Sequence, residues 1–158
     1  MKTLTQEDFV QVVEKISKEM PADYNMGKAL LYGVKMDEND QIIFDKIHED
    51  GDVYEMLNPF NSVWKMKGYN FFSIVTCGWA APIANDEDDD EFTDLPPSQH
   101  PNRRRVMLTV NATTDKKVGS IISFEDDIEN AVFDYGTAKG SLADAFMELI
   151  ECYNETKQ

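Results

Sequence analysis

Tyr69-Asn70-Phe71-Phe72-Ser73-Ile74-Val75-Thr76-Cys77-Gly78-Trp79 is the stretch that decides the fold. It is long, aromatic and β-branched, the composition that suits a pleated and buried strand. We read it as the central strand of a sheet. On its N-terminal side, Ala29 to Lys35 and Gln41 to Ile47 are short runs around the polar turn Met36-Asp37-Glu38-Asn39-Asp40, which predicts a hairpin. Asp50-Gly51-Asp52 marks another turn, and Asn58-Pro59 the cap and first position of a short helix. On its C-terminal side, Arg104 to Asn111 and Val118 to Glu125 predict a second hairpin around Thr114-Asp115-Lys116-Lys117. Ala131 to Tyr135 predicts a short sixth strand.

Helices bracket these strands. Phe9, Val12, Val13, Ile16 and Met20 recur at steps of three and four, with Thr5 and Asp8 as a capping box and Pro21 as the stop. Leu142, Ala145, Phe146, Leu149, Ile150 and Tyr153 form a second stripe, with Ser141 as N-cap and Asp144 in the first turn. Burying each large residue of that stripe is worth roughly 1.5–3 kcal/mol, so the last helix should dock firmly. No βαβ alternation occurs, so the sheet should be antiparallel. The expected fold is α+β: a single antiparallel sheet of about five to six strands with N- and C-terminal helices. The order α-β-β-α-β-β-β-α is similar to roadblock, profilin-like and GAF-like folds, a likeness of topology that carries no function. Residues 1–158 read as one domain.

The 158 residues include 30 acids and 15 Lys or Arg, a formal charge of −15. Hydrophobic residues make up 42%, enough to build a core, which excludes a disordered acidic chain. No apolar run approaches a membrane span, and the first eight residues do not resemble a secretory signal. The expectation is a cytoplasmic protein without membrane contact. Direct nucleic-acid binding is disfavoured, because neutralising phosphates needs clustered cations. Cys77 and Cys152 are far apart and lack metal-ligand or CxxC spacing, so they read as reduced and mostly buried thiols.

One segment breaks the pattern of strands and turns. Residues 83–102 contain six consecutive acids, Asp86, Glu87, Asp88, Asp89, Asp90 and Glu91, followed by a Pro-rich stretch. Such a run repels itself and reads as a solvated, flexible loop able to contact a basic protein partner. Asp86, Asp88 and Asp90 have the odd-position spacing of a calcium loop. However, Glu91 stands where that loop needs Gly and Pro97 where it needs a bidentate Glu, so no metal site is expected. Arg103, Arg104 and Arg105 follow at once and are the chain's only arginines. On a strand, Arg103 and Arg105 share one face and Arg104 takes the other. Pairing with nearby carboxylates is the plain reading. The sharper one is a site for an anion or carboxylate, formed with Ser98 and His100. A Cys77–His100 nucleophile pair is the enzymatic alternative. No nucleophile signature surrounds Cys77 and no oxyanion hole is evident, so no catalytic residue is assigned and no cofactor expected. His48, beside Glu49 and Asp50, reads as a surface turn residue.

Three strings, Cys77-Gly78-Trp79-Ala80-Ala81-Pro82, Pro97-Ser98-Gln99-His100-Pro101-Asn102-Arg103-Arg104-Arg105-Val106 and Gly140-Ser141-Leu142-Ala143-Asp144-Ala145-Phe146, resemble a family of small uncharacterised proteins of actinobacteria and phages. The resemblance spans roughly residues 70–150. It implies a phage-encoded protein of the host cytoplasm and no particular activity. The leading expectation is therefore a noncatalytic binding or regulatory protein, acting through protein–protein contacts or as a homodimer. An acidic decoy that mimics DNA is a second reading. An enzyme or anionic-ligand binder centred on His100 and Arg103–Arg105 is the third.

Overall fold

A computed structural model describes residues 9–19, 24–25, 27–39, 41–80, 99, 101–115, 118–135 and 141–156. The strands are β1 (Ala29–Met36), β2 (Ile42–Asp50), β3 (Phe71–Ala80), β4 (Arg104–Thr113), β5 (Val118–Phe124) and β6 (Asp127–Tyr135). The helices are α1 (Phe9–Glu19), α2 (Val53–Met56), α3 (Pro59–Ser62) and α4 (Ser141–Thr156), with a 3-10 turn at Val63–Lys65. All six strands form one sheet in the order β2-β1-β3-β4-β5-β6, every pair antiparallel. The expected α+β class is the observed one. The aromatic strand β3 lies inside the sheet, paired with β1 on one side and β4 on the other.

Alternation along β3 assigns its residues to two faces. Phe72 and Ile74 join Ala29, Leu31, Val110 and Ala112 under α4, where Phe146, Leu149, Ile150 and Tyr153 are buried against them. Met56, Leu57 and Met66, from the α2–α3 segment, complete this core. On the opposite face, Val12, Val13 and Ile16 of α1 cover Phe71, Val34 and Ile121. Tyr24 covers Val75 and Met107 on that same face. The sheet is thus sandwiched between helical layers, with two edges at β2 and β6. Two polar hooks fix α4: Tyr153 donates to the Tyr69 carbonyl at 3.0 Å and Asn154 Nδ2 to that of Thr114 at 2.9 Å.

Two strands run longer than their alternation predicts. β2 continues to Asp50, and β6 begins at Asp127. Each pairing contains an irregularity, at Leu31/Tyr32 against β2 and at Ile122/Phe124 against β6. A bulge shifts the inward set by one residue, so the period of two breaks although the ladder continues. Asp52, read as part of a turn, is instead the N-cap of α2: its carboxylate accepts from the Tyr54 and Glu55 amides at 2.8 and 3.4 Å. Gly68, with φ of 96°, makes the left-handed turn into β3. The Thr5–Asp8 cap, the Pro21 stop and residues 83–98 and 100 of the acidic loop lie outside the described residues.

Candidate functional site

Of the expected site residues, the arginines are described. Asp86, Glu87, Asp88, Asp89, Asp90, Glu91, Ser98 and His100 lie outside the described residues. Arg105 stands opposite Trp79 in the β3–β4 ladder and Arg104 opposite Ala80. Arg103 and Arg105 both stack on the Trp79 ring, their guanidinium carbons 4.9 and 4.8 Å from its centre. Arg105 also donates from Nε to the Tyr24 carbonyl at 2.6 Å and from a terminal nitrogen toward Cys77 Sγ at 3.5 Å. Arg104 lies over the Phe124 ring at 3.9 Å on the other face and donates from Nε to both Asp126 oxygens, at 3.0 and 3.1 Å. That bond holds the Asp126 carboxyl below the usual carboxylate range. The triplet is thus divided between two faces. Neither Cys77 nor Cys152 is in a disulfide, and both are half-buried, more exposed than expected.

A second feature has the properties of a contact surface. Asn58 caps α3 by accepting from the Phe60 amide at 3.1 Å, with Pro59 at the helix start. Ser62 donates its hydroxyl to the Met56 carbonyl, and Asn61 Nδ2 donates to that of Glu55 at 2.8 Å. Met56, Leu57, Ser62 and Met66 are buried beneath. Lys65 Nζ donates to His48 Nδ1 at 2.6 Å, tying the 3-10 turn to β2. His48 therefore sits in a strand rather than a turn. Burial first, and then the Lys65 charge, push its pKa below 6.5, which favours the neutral ring that accepts this bond. On this braced base Phe60 is 89% and Trp64 84% exposed. They are four residues apart, so they share one side of the helical segment.

Trp64 lines two cavities. One, of about 460 Å³, is formed with Val63, Lys67, Gly68, Tyr153 and Thr156. The other, of about 360 Å³, is more open and is formed with Pro59, Phe60, Cys152 and Glu155, among others. Both are bounded by the end of α4. That helix carries Asp144, Glu148, Glu151 and Glu155, all exposed, at steps of four, three and four. At 3.6 residues per turn these fall within an arc of roughly 60°, facing away from the buried stripe. Its sixteen residues contain no Lys or Arg.

A third feature lies inside the sheet. Ser73 and Asn111 face each other across β3 and β4, both fully buried on the α1 side. The Ser73 hydroxyl and both polar atoms of the Asn111 amide have no hydrogen-bond partner among the described residues. Among the described residues, no group of three or more His, Cys, Asp or Glu is placed to hold a metal ion. No described helix is long and apolar enough to cross a membrane.

No family model, curated protein or solved structure matches this chain.

Phe60 and Trp64 were not singled out by the sequence reading, because Asn58-Pro59 marked only a helix start. A signal was present. In Pro59-Phe60-Asn61-Ser62-Val63-Trp64-Lys65-Met66, apolar residues lie on both sides of the helix, more than one face can bury.

Proposed function

We propose that the protein is a noncatalytic binding protein that acts through protein–protein contacts centred on Phe60 and Trp64. The observation that carries this reading is the near-complete exposure of two large aromatic side chains above the buried Met56, Leu57 and Met66. Aromatic anchors of this kind dominate binding energy at interfaces, and open cavities beside them admit partner side chains. The acidic run Asp86–Glu91 is a further contact in the same proposal. We place its work in the cytoplasm, that of a host cell if the protein is phage-encoded. Thiols outside any disulfide, at Cys77 and Cys152, suit a reducing compartment.

The decoy reading has less support. The acids of α4 are spaced by roughly 5 Å along the helix axis at ~1.5 Å per residue, sparser than the ~3.4 Å per phosphate of one DNA strand. The anion-site reading is weakened by the commitment of Arg104 to Asp126 and of Arg105 to the Tyr24 carbonyl.

The test uses a photoreactive residue in place of Lys67, at the rim of the larger cavity. Crosslinking in the source cell is expected to give a few discrete adducts. Phe60→Ser with Trp64→Ser should abolish them while leaving the thermal midpoint unchanged. An identical adduct set with and without the two aromatics would overturn the reading.

A further inference from the structure

We infer that the partner presents a cationic amphipathic segment, about three helical turns long. Its apolar side chains enter the two cavities that Trp64 lines, and its lysines or arginines lie along the acidic edge of α4. This rests on the protein-contact reading above and names the chemistry of the partner.

The charge argument starts from α4. Asp144, Glu148, Glu151 and Glu155 form one outward stripe, and no cation on that helix offsets them. Its last turn holds no basic residue, so the negative end of the helix dipole reinforces the acids there. Glu155 belongs at once to the stripe and to the smaller cavity, where it lies beside Phe60 and Trp64. The stripe and the aromatic surface are thus continuous. From Asp144 to Glu155 is eleven residues, roughly 16 Å of helix at ~1.5 Å per residue, which sets the length of the segment.

The alternatives fit less well. A second copy of this chain would bring a molecule of charge −15 against another of the same sign. Paired across a two-fold axis, acid stripe would meet acid stripe, and like charges juxtaposed at an interface repel. Nucleic acid and anionic membranes are repelled for the same reason. A purely cationic chain would neutralise the stripe and leave both cavities beside Trp64 unfilled. A segment with both properties satisfies both features. Lys67 is the cation among the described residues lining the larger cavity, so an acid or a free carboxylate of the segment should lie beside it.

The experiment uses the full chain and three synthetic peptides of equal length, with binding read by fluorescence anisotropy of a labelled peptide at low and moderate salt. The first peptide is Lys-rich and amphipathic, with Leu at helical spacing. The second replaces its lysines by glutamines, and the third keeps the lysines but replaces Leu by Ser. The first should bind tightest and weaken with salt. Trp64→Ala should weaken it by about thirtyfold, as for an interface hot spot. Glu148→Gln with Glu155→Gln should weaken it roughly three- to tenfold, as for two exposed ion pairs. Equal binding of the lysine and glutamine peptides, both dependent on Trp64, would overturn the cationic inference and keep the contact surface. Equal binding of the Leu and Ser lysine peptides, insensitive to Trp64→Ala, would overturn the inference as diffuse charge attraction. If no peptide depends on Phe60 or Trp64, the inference and the reading beneath it both fail.

Discussion

Gly33 and Tyr69 fit together only because one of them has no side chain. A Cβ on Gly33 would lie 2.5 Å from the Tyr69 ring, closer than real contacts allow. The ring crosses β1 at this point and reaches β2, where its hydroxyl donates to Asp45 Oδ2 at 2.6 Å. Lys35 joins the same group, 3.1 Å from Asp45 and 5.7 Å above the ring. The edge of Tyr69 also meets Phe72 in the core, with ring centres 6.2 Å apart. A glycine in the second strand of the sheet thus admits a side chain that ties three strands together.

Gly33→Ala is accordingly expected to destabilise the fold by about 1–3 kcal/mol, the usual range for overpacking. Chemical denaturation measures it. The cost should shrink in a Tyr69→Ala background, because the clash is then gone and the pair is coupled. Additive losses would show that the strain lies elsewhere.

The Tyr69–Asp45 bond predicts pH dependence on both sides. Burial first, and then this bond, raise the Tyr69 phenol from 10.0 to about 12. A raised folded value stabilises fully below the unfolded pKa and is lost as pH climbs from 10 toward 12. Tyr32, raised by burial, adds to the same alkaline loss. The bond from Tyr69, before that from Lys35, holds the Asp45 carboxyl below its ordinary 3.8. That stabilisation is complete above the ordinary value and is lost as pH falls from it through the lowered folded value. Urea midpoints followed from pH 3 to 11.5 should therefore fall less steeply at both extremes in Tyr69→Phe than in the wild type. Parallel profiles would show that Tyr69 contributes to neither limb.

Ser73 and Asn111 predict a gain rather than a loss. Their buried polar atoms lack partners among the described residues, and replacing such groups by apolar ones of similar shape is neutral or stabilising. Ser73→Ala should raise stability by about 1 kcal/mol, and Asn111→Leu by up to about 3 kcal/mol. A marked loss in either variant, measured by urea titration, would mean that these groups are bonded in solution.

Arg104 and Arg105 should differ although they are neighbours. Arg105→Ala removes a charged donor from the Tyr24 carbonyl and is expected to cost about 1.5–3 kcal/mol. It should also loosen the Tyr24 turn, seen as faster amide exchange there. Arg104→Ala breaks an exposed pair with Asp126 and should leave the thermal midpoint essentially unchanged. Equal effects would mean that Arg105 is no more structural than Arg104.

Much of the architecture was legible in the sequence. The stripe of α1 at Val12, Val13 and Ile16, the stripe of α4 and the composition of β3 each report one element's own burial pattern, and each was read correctly. The strand alternation of Arg104 and Arg105 onto opposite faces was legible in the same way. The full lengths of β2 and β6 were not, because bulges break the period that marks a strand. Phe60 and Trp64 were missed for a related reason. A helical segment of about two turns is too short for a stripe to declare which apolar residues are covered.

The sequence by itself determined the two flanking helices, the antiparallel sheet and the charge of −15, because periodicity and composition act locally or summed over the chain. Only the tertiary structure decided that Tyr69 lies over Gly33, that the arginine triplet is divided between Tyr24 and Asp126, and that Phe60 and Trp64 remain uncovered beside the acids of α4. Those outcomes depend on which surfaces the packed helices and sheet have already used. Residues distant in the chain settle them, and no local pattern records that competition.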